Sequence, residues 1–430
     1  MDGFGMMRQI GKKVLPFALG SLLLSSPLAA VTRHPAAHKK TVAAAPHKTA
    51  SAKSAKTSKT SASAHTRAAG AHKQAVSTKA GQRATGHHLR KAKYTERFRA
   101  SSFTEDPNNL IAGDVTAGED PIVREAAIQA LGNMNGTVLA IDPSSGRILT
   151  MVNQKLALSS GAEPCSTIKI SVALAALEEG IIKHDTPVSL GKGYHVDLDY
   201  ALAKSVNPYF EVLGRTLGFE RVKHYANEFG LGELAGYQIE GEQLGVYPDE
   251  ELPEKLGGVG RMCSFGESIS MTPLQLGALV SAVANGGTLY YLQHPQTPEQ
   301  IASFTPKVKR ILDIAPIIPE IVPGMAGAVD ARFGTARSLR TSFNEFPVMG
   351  KTGTCSNNGT RLGWFASYAD TPTGRIVTVV FLEGGRPTFG PKAAELTGQF
   401  YRGLSDGGYF TPRQQPQSTQ TVAMGEGEMR

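Results

Sequence analysis

Between Val31 and Thr95 the chain carries 14 Lys or Arg residues and not one Asp or Glu. Seven of the 11 histidines fall in the same stretch, among repeated Ala, Ser and Thr. A segment so poor in large apolar side chains cannot bury enough surface to offset the entropy of ordering it. It reads as a disordered basic linker over residues 31–103. The fold is thereby confined to residues 104–410, long enough for one sizeable domain. Residues 411–430, polar and rich in Gln and Gly, read as a disordered tail. From Glu96 onward 28 basic residues face 36 acidic ones, so this part of the chain has net charge −8 although the whole chain has a pI near 9.2. The basic balance describes the linker and not the folded surface. No aromatic residue precedes Tyr94 in the linker, which argues against a stacking platform for nucleic acid. Attraction to anionic membrane lipid or cell-wall polymer fits the composition, and so does a solvated spacer without a partner.

Ahead of the linker, Arg8, Lys12 and Lys13 precede an apolar run from Val14 to Val31. A positive flank followed by such a run is an export signal, so residues 1–30 are expected to act as a signal peptide or N-terminal membrane anchor. Pro16, Gly20 and the Ser25-Ser26 pair weaken the run as a span, and its length is at the lower limit for one. The protein is expected in the periplasm or cell envelope, with anchorage in the inner membrane left open.

GTVLAIDPSSGRILTMVN, residues 136–153, alternates apolar residues on both sides of a Pro-Ser-Ser-Gly turn and predicts a β-hairpin. Helical spacing runs over Ser166–Glu179, Asn207–Leu217, Phe219–Phe229, Thr272–Ala284 and Ile317–Val329. Apolar strands are expected at 347–354, 362–368 and 376–383, then a helix over Lys392–Leu404. Two strands, a helical middle, three strands and a closing helix predict a mixed α/β fold of the α+β kind. Its expected form is an antiparallel five-stranded sheet flanked by helices, with an inserted all-helical subdomain.

VMGKTGTCSN, residues 348–357, contains G-K-T, the end of a phosphate-binding loop. That loop needs a glycine five residues before Gly350, and Glu345 stands there, a carboxylate that would repel a phosphate. The segment reads as a strand. Upstream, Ser166-Thr167-Ile168-Lys169 opens a helical run, so hydroxyl and amine fall on one face within a turn. Helix-start N–H groups there favour a developing anion. A serine becomes nucleophilic when a base takes its proton, and a lysine serves as base only where burial or a second cation lowers its pKa. Alone the motif is weak, since S-x-x-K recurs at Ser189–Lys192 inside a glycine-rich loop. S-x-N is weaker, occurring at Ser205–Asn207, Ser342–Asn344 and Ser356–Asn358. Only the first of these lies between the S-x-x-K helix and the K-T-G-T strand.

In that order, Ser166-Thr167-Ile168-Lys169, Ser205-Val206-Asn207 and Lys351-Thr352-Gly353-Thr354 resemble the three-motif signature of penicillin-binding protein transpeptidases and serine β-lactamases, monofunctional class B enzymes in particular. KSVNPYFEVLGRTLG, SISMTPLQLGALVSAVANGG and GWFASYAD also look like segments of that domain, and the likeness covers most of residues 122–405. The resemblance implies the β-lactamase/transpeptidase fold. It implies Ser166 as acyl-forming nucleophile and Lys169 as its base. Ser205 would shuttle a proton, and Asn207 would bind the substrate amide or orient Lys169. Lys351 would supply positive charge, while Thr352 and Thr354, flanking Gly353, would grip the terminal carboxylate of a D-Ala-D-Ala stem peptide. The N–H groups of Ser166 and Thr354 would form the oxyanion hole. Implied ligands are peptidoglycan stem peptides and β-lactams, with no cofactor and no metal: His184, His195, His224 and His294 lack ligand spacing.

The chain departs from the family pattern in places. The interval from Ser166 to Ser205 is short, which trims one cleft wall. Cys165 precedes the nucleophile and Cys355 follows K-T-G-T. If Ser166 and Thr354 face one oxyanion, their neighbours come close enough for a disulfide, or else stay as two buried thiols. Cys263 reads as a small core residue. The acyl group could pass to an amine, giving a DD-transpeptidase, or to water, giving a DD-carboxypeptidase or β-lactamase. It could also persist in a β-lactam sensor, which the absence of a signalling segment disfavours. A class A β-lactamase activates water with E-x-x-L-N, and the nearest string here, Glu228-Phe229-Gly230-Leu231-Gly232, ends in glycine. Class D enzymes usually carry an aliphatic residue where Asn207 stands. Transpeptidation is therefore the expected outcome. No room is expected for a glycosyltransferase domain, and little for an N-terminal pedestal.

Overall fold

A computed structural model describes residues 97–411. The expected export segment, the linker up to residue 96 and the tail from residue 412 lie outside the described residues. Strands β1 (Gly136–Asp142), β2 (Arg147–Val152), β3 (Val348–Asn357), β4 (Thr360–Thr371) and β5 (Gly374–Gly384) form one antiparallel sheet in the order β2-β1-β5-β4-β3. The five-stranded sheet is the one the alternation predicts. Strands β3 to β5 run several residues further than their apolar stretches, through polar turns at Asn358-Gly359 and Pro372-Thr373.

Both faces of the sheet are covered. Leu139, Ile141, Trp364, Ala366, Val379 and Phe381 point to one core, and Val138, Ala140, Phe365, Ala369, Val380 and Leu382 point to the other. Their interleaving in sequence is the period-two alternation of a strand made structural. Helices α1 (Pro121–Leu131) and α9 (Gly390–Asp406) supply the second core. The first core takes α2 (Lys169–Glu178), α3 (Leu198–Lys204), α4 (Asn207–Leu217), α5 (Phe219–Glu228), α6 (Gly258–Phe265), α7 (Pro273–Asn285) and α8 (Ile318–Asp330). Helix α7 starts at a capping box between Thr272 and Gln275, has Pro273 in its first turn and stops at Gly286. Nearly all its residues are buried, so it is apolar on every face and sits under the sheet.

Helix α6 has little helical pattern in sequence because Gly258, Gly260 and Gly266 surround it. Glycines on both helices serve a close approach of α4 and α6: a Cβ on Gly260 would lie 2.7 Å from the Arg215 guanidinium, and one on Gly214 of α4 would lie 2.6 Å from Cys263 Sγ. Cys263 is fully buried in this contact between α4 and α6, and burial pushes its thiol pKa up. At the front of the domain, the Arg99 N–H donates to Gly359 O (2.9 Å) and Ser102 Oγ bonds Thr388 Oγ1 (2.8 Å). Residues 99–103, which composition assigns to the end of the linker, thus run along the sheet. Among the described residues no helix is long and apolar enough to cross a membrane.

Candidate active site

Residues Cys165–Ile168 form a 3₁₀ turn that runs into α2 at Lys169. The expected α-helix from Ser166 therefore starts three residues later, on a tighter turn that begins after Pro164. The Thr167 N–H and hydroxyl both donate to Pro164 O, at 3.1 and 2.7 Å. Ser166, in the first turn, keeps an N–H with no partner along the helix. Nine of the ten residues of α2 are buried, and Lys169 is among them with no exposed surface.

Lys169 Nζ lies 2.9 Å from Ser166 Oγ, 3.0 Å from Ser205 Oγ, 3.3 Å from Ser205 O and 2.5 Å from Asn207 Oδ1. The ring of Phe210 stands 5.3 Å away. Burial first, and then the charge of Lys351, push the Lys169 pKa well below its ordinary value, with Glu211 opposing weakly. A neutral amine has two N–H donors and one lone pair. Two of its four neighbours, Asn207 Oδ1 and Ser205 O, can only accept, so they match the two N–H groups. The lone pair is left facing a hydroxyl, which is the arrangement a base needs in order to take a serine proton.

Ser205 closes α3 with φ 60° and ψ 49°, a left-handed residue at a helix end. The Val206 N–H donates to Ala201 O and the Ser205 N–H to Leu202 O, at 2.8 and 3.3 Å. This pairing usually ends in glycine, and here serine takes the position at a cost of about 1 kcal/mol. In return its hydroxyl lies 3.0 Å from Lys169 Nζ and 2.9 Å from Lys351 Nζ, joining the two amines. Pro208, in the first turn of α4, stops α3 from running on and sets Asn207 beside Lys169.

Lys351 is fully buried in β3 and also donates to Thr352 O at 2.9 Å. Burial alone lowers its pKa to about 7. On the pleated strand Lys351, Gly353 and Cys355 face the Ser166 turn, and Thr352 and Thr354 alternate with them. A Cβ on Gly353 would come within 2.8 Å of Pro164 O, so only glycine admits this approach. Thr352 Oγ1 bonds Thr335 Oγ1 at 2.7 Å. Thr354, exposed, accepts the Gly390 N–H at 2.8 Å and keeps its own proton to donate. Strand β3 is the outer strand of the sheet, so its far edge has no strand partner.

Cys165 and Cys355 are joined by a disulfide, their Cα atoms 5.5 Å apart. Trp364 Nε1 donates to Glu163 O at 3.1 Å. Glu163 is half-buried, and burial together with Glu267, opposed by Arg261, pushes its carboxyl up to about 7.

All five residues expected to do chemistry are thus linked through hydrogen bonds, and Thr352, Gly353 and Thr354 lie on the adjoining strand. The second S-x-x-K falls on an exposed two-stranded hairpin, with Ser189 paired to His195. Ser342 accepts from Arg402 Nε through its carbonyl and is not among the hydrogen-bond partners of either amine. Sequence reading missed Phe210, Glu211, Thr335, Gly390 and Glu163. Phe210 and Glu211 follow Asn207 on one helix and were within reach of a spacing argument. Thr335 and Gly390 come from distant segments and carry no local signal. His294 is buried and pairs with Glu119 rather than approaching the site.

A sequence profile of the family described as "Penicillin binding protein transpeptidase domain" matches residues 136–402. The chain is 29% identical over 300 residues to stage V sporulation protein D of Bacillus subtilis, a match that covers 61% of this chain and 44% of that protein. It is 23% identical over 368 residues to peptidoglycan D,D-transpeptidase MrdA of Acinetobacter baumannii, covering 68% of this chain and 53% of the relative. The chain therefore spans about half the length of the curated relatives it matches. A crystal structure of Pseudomonas aeruginosa PBP2 in complex with WCK 5153 superposes with TM-score 0.56 at 22% identity, over 67% of this chain and 74% of that one, and shares its fold. With the sheet, the inserted helices and the profile in agreement, this chain belongs to the penicillin-binding protein transpeptidase domain family.

Proposed function

We propose that the protein is a peptidoglycan DD-transpeptidase that forms a serine acyl-enzyme with D-Ala-D-Ala stem peptides and is covalently inhibited by β-lactams. The observation that carries the reading is the buried Lys169 amine, 2.9 Å from Ser166 Oγ with its two N–H groups matched to Asn207 Oδ1 and Ser205 O.

Ser166 Oγ attacks the carbonyl carbon of the penultimate D-Ala as its proton passes to Lys169. The negative oxygen of the tetrahedral intermediate is held by the N–H groups of Ser166 and Thr354, each donor contributing about 3 kcal/mol by comparison with measured oxyanion holes. Ser205, between the two lysines, passes a proton to the departing D-Ala nitrogen. Lys351 and the Thr352 and Thr354 hydroxyls take the terminal carboxylate, and the outer edge of β3 takes the extended peptide backbone. An acceptor amine then attacks the ester and the proton path runs in reverse. Glu228, in the string nearest to E-x-x-L-N, pairs with His224 on its own helix and does not touch the two amines, so it supports no hydrolytic reading. In the same reading residues 1–30 direct export to the cell envelope and the basic linker tethers the domain there.

The test is labelling with a fluorescent penicillin. Wild type should bind covalently and hold the label for many minutes, and Ser166→Ala should not label. Labelling that survives the substitution refutes the nucleophile. Fast release of hydrolysed drug moves the reading to a β-lactamase. Incubation with a pentapeptide stem and an amine acceptor should give the cross-linked product by mass spectrometry, whereas tetrapeptide alone would mean a carboxypeptidase.

A further inference from the structure

Cys165 has a backbone φ of 51°, left-handed, immediately before Ser166. An L-residue of this kind rarely stays there, because its Cβ crowds the neighbouring carbonyl. Glycine would adopt the same angle freely. The chain instead places a cysteine there and ties it to Cys355, which directly follows Thr354.

We propose that the Cys165–Cys355 disulfide is a positioning device for acylation. It holds Cys165 in the left-handed conformation and so fixes the Ser166 N–H against the Thr354 N–H. The inference rests on the acyl-enzyme reading above, in which those two groups are the oxyanion donors. Other contacts clamp the same turn: Trp364 bonds the Glu163 carbonyl, Gly353 packs against Pro164 O, and a Cβ on Gly266 would meet the Pro164 ring at 2.5 Å. Each of these grips Glu163 or Pro164. The bridge grips the side chain of the residue whose φ is unfavourable. When a dithiol reduces it, the S–S bond breaks, each sulfur gains a proton and an electron, and the dithiol is oxidised to its own disulfide. Cys165 is then free to return to negative φ, which reorients the peptide unit carrying the Ser166 N–H. Cys165 and Cys355 are positioning residues, acting through Ser166 and Thr354 rather than on substrate.

The experiment is single-turnover acylation of the full-length protein by a fluorescent penicillin, run beside thermal melting. Oxidised wild type comes first: if it does not label, the acyl-enzyme reading itself has failed and the bridge is not the reason. Given labelling, Cys355→Ser should acylate about tenfold more slowly and melt at a lower temperature. Adding Cys165→Gly to Cys355→Ser should recover most of the acylation rate while the melting temperature stays low, because glycine relieves the backbone without restoring the cross-link. A Cys355→Ser rate equal to wild type overturns the proposal. So does a double variant no faster than Cys355→Ser, which would make the bridge a matter of overall stability. Should Cys355→Ser fail to fold, wild type fully reduced by a dithiol takes its place. An undiminished rate in that reduced protein, with reduction checked by alkylation and mass, overturns the proposal equally.

Discussion

Two clusters of charge are buried in this domain, and they are built on opposite plans. Around Glu119, the carboxylate meets the Arg124 guanidinium at 2.9 Å and His294 Nε2 at 3.1 Å, while Arg124 also meets Asp114 at 2.9 Å. Glu119 further accepts the Thr150 hydroxyl and the Met151 N–H. Burial pushes the Glu119 pKa up, but these partners outweigh it and hold the carboxyl below its ordinary value, and Arg124 is correspondingly raised. Around Lys169 and Lys351 no carboxylate is in contact. The two amines share one serine hydroxyl, their other partners are neutral oxygens, and both pKa values fall. A compensated cluster keeps its charges and fastens the 114–119 loop to the β1-β2 hairpin. An uncompensated one surrenders a proton, and a lysine without its proton is a base.

Breaking each cluster should therefore produce opposite results. Lys169→Met should slow acylation by penicillin about 10³-fold, within the range general bases contribute. The same change should leave the melting temperature unchanged or raised by on the order of 1 kcal/mol in stability, since an apolar side chain replaces one that resists burial. Unfolding of that variant would show that the amine is held by its bonds more than it is penalised by its environment. Arg124→Met should do the reverse: a loss of about 3–5 kcal/mol in denaturant unfolding, because Asp114 and Glu119 stay buried and lose the guanidinium they share. The folded fraction should acylate within about twofold of wild type, since Arg124 touches neither amine, and a much larger loss would connect the two clusters.

Solution pH sharpens the same contrast. Acylation should rise with pH as Lys169 loses its proton, then fall above about 7 as Lys351 loses the charge that attracts the drug carboxylate. The two limbs belong to the pair, because the amines share Ser205. With a penicillin ester, which lacks the carboxylate, the falling limb should vanish, and its persistence would remove Lys351 from substrate binding. For stability, the lysines bind more protons when unfolded, so stability should climb with pH from about 7 toward the ordinary lysine pKa near 10.4. Glu119, with its folded pKa depressed, contributes stability present above about 4.5 and lost as pH falls through the lower folded value.

What could be read before the fold was known divides along similar lines. The sheet was legible because alternation over 136–153 and three later apolar runs survive any tertiary context. The three motifs were legible because their order restricts them, although S-x-x-K and S-x-N each recur elsewhere in the chain. The Glu119 cluster was not, since Glu119 and His294 stand 175 positions apart and no local pattern marks them. The 3₁₀ start at Cys165 escaped because the apolar spacing of 166–179 is indifferent to a tighter first turn. Helix α6 escaped because its glycines lower helix propensity for the sake of packing against α4.

The strand order also sets a timetable. Gly136 pairs with Leu382, so β1 cannot complete its place in the sheet until β5, the last strand among the described residues, has been synthesised. Strand β3, which brings Lys351 to Ser205 and Cys355 to Cys165, likewise follows the inserted helices in the chain. A growing chain carries its serine and first lysine long before it carries the strand that completes their setting. Chains truncated before β3 should therefore fail to label with penicillin, and labelling of such fragments would show that Ser166 reacts without Lys351.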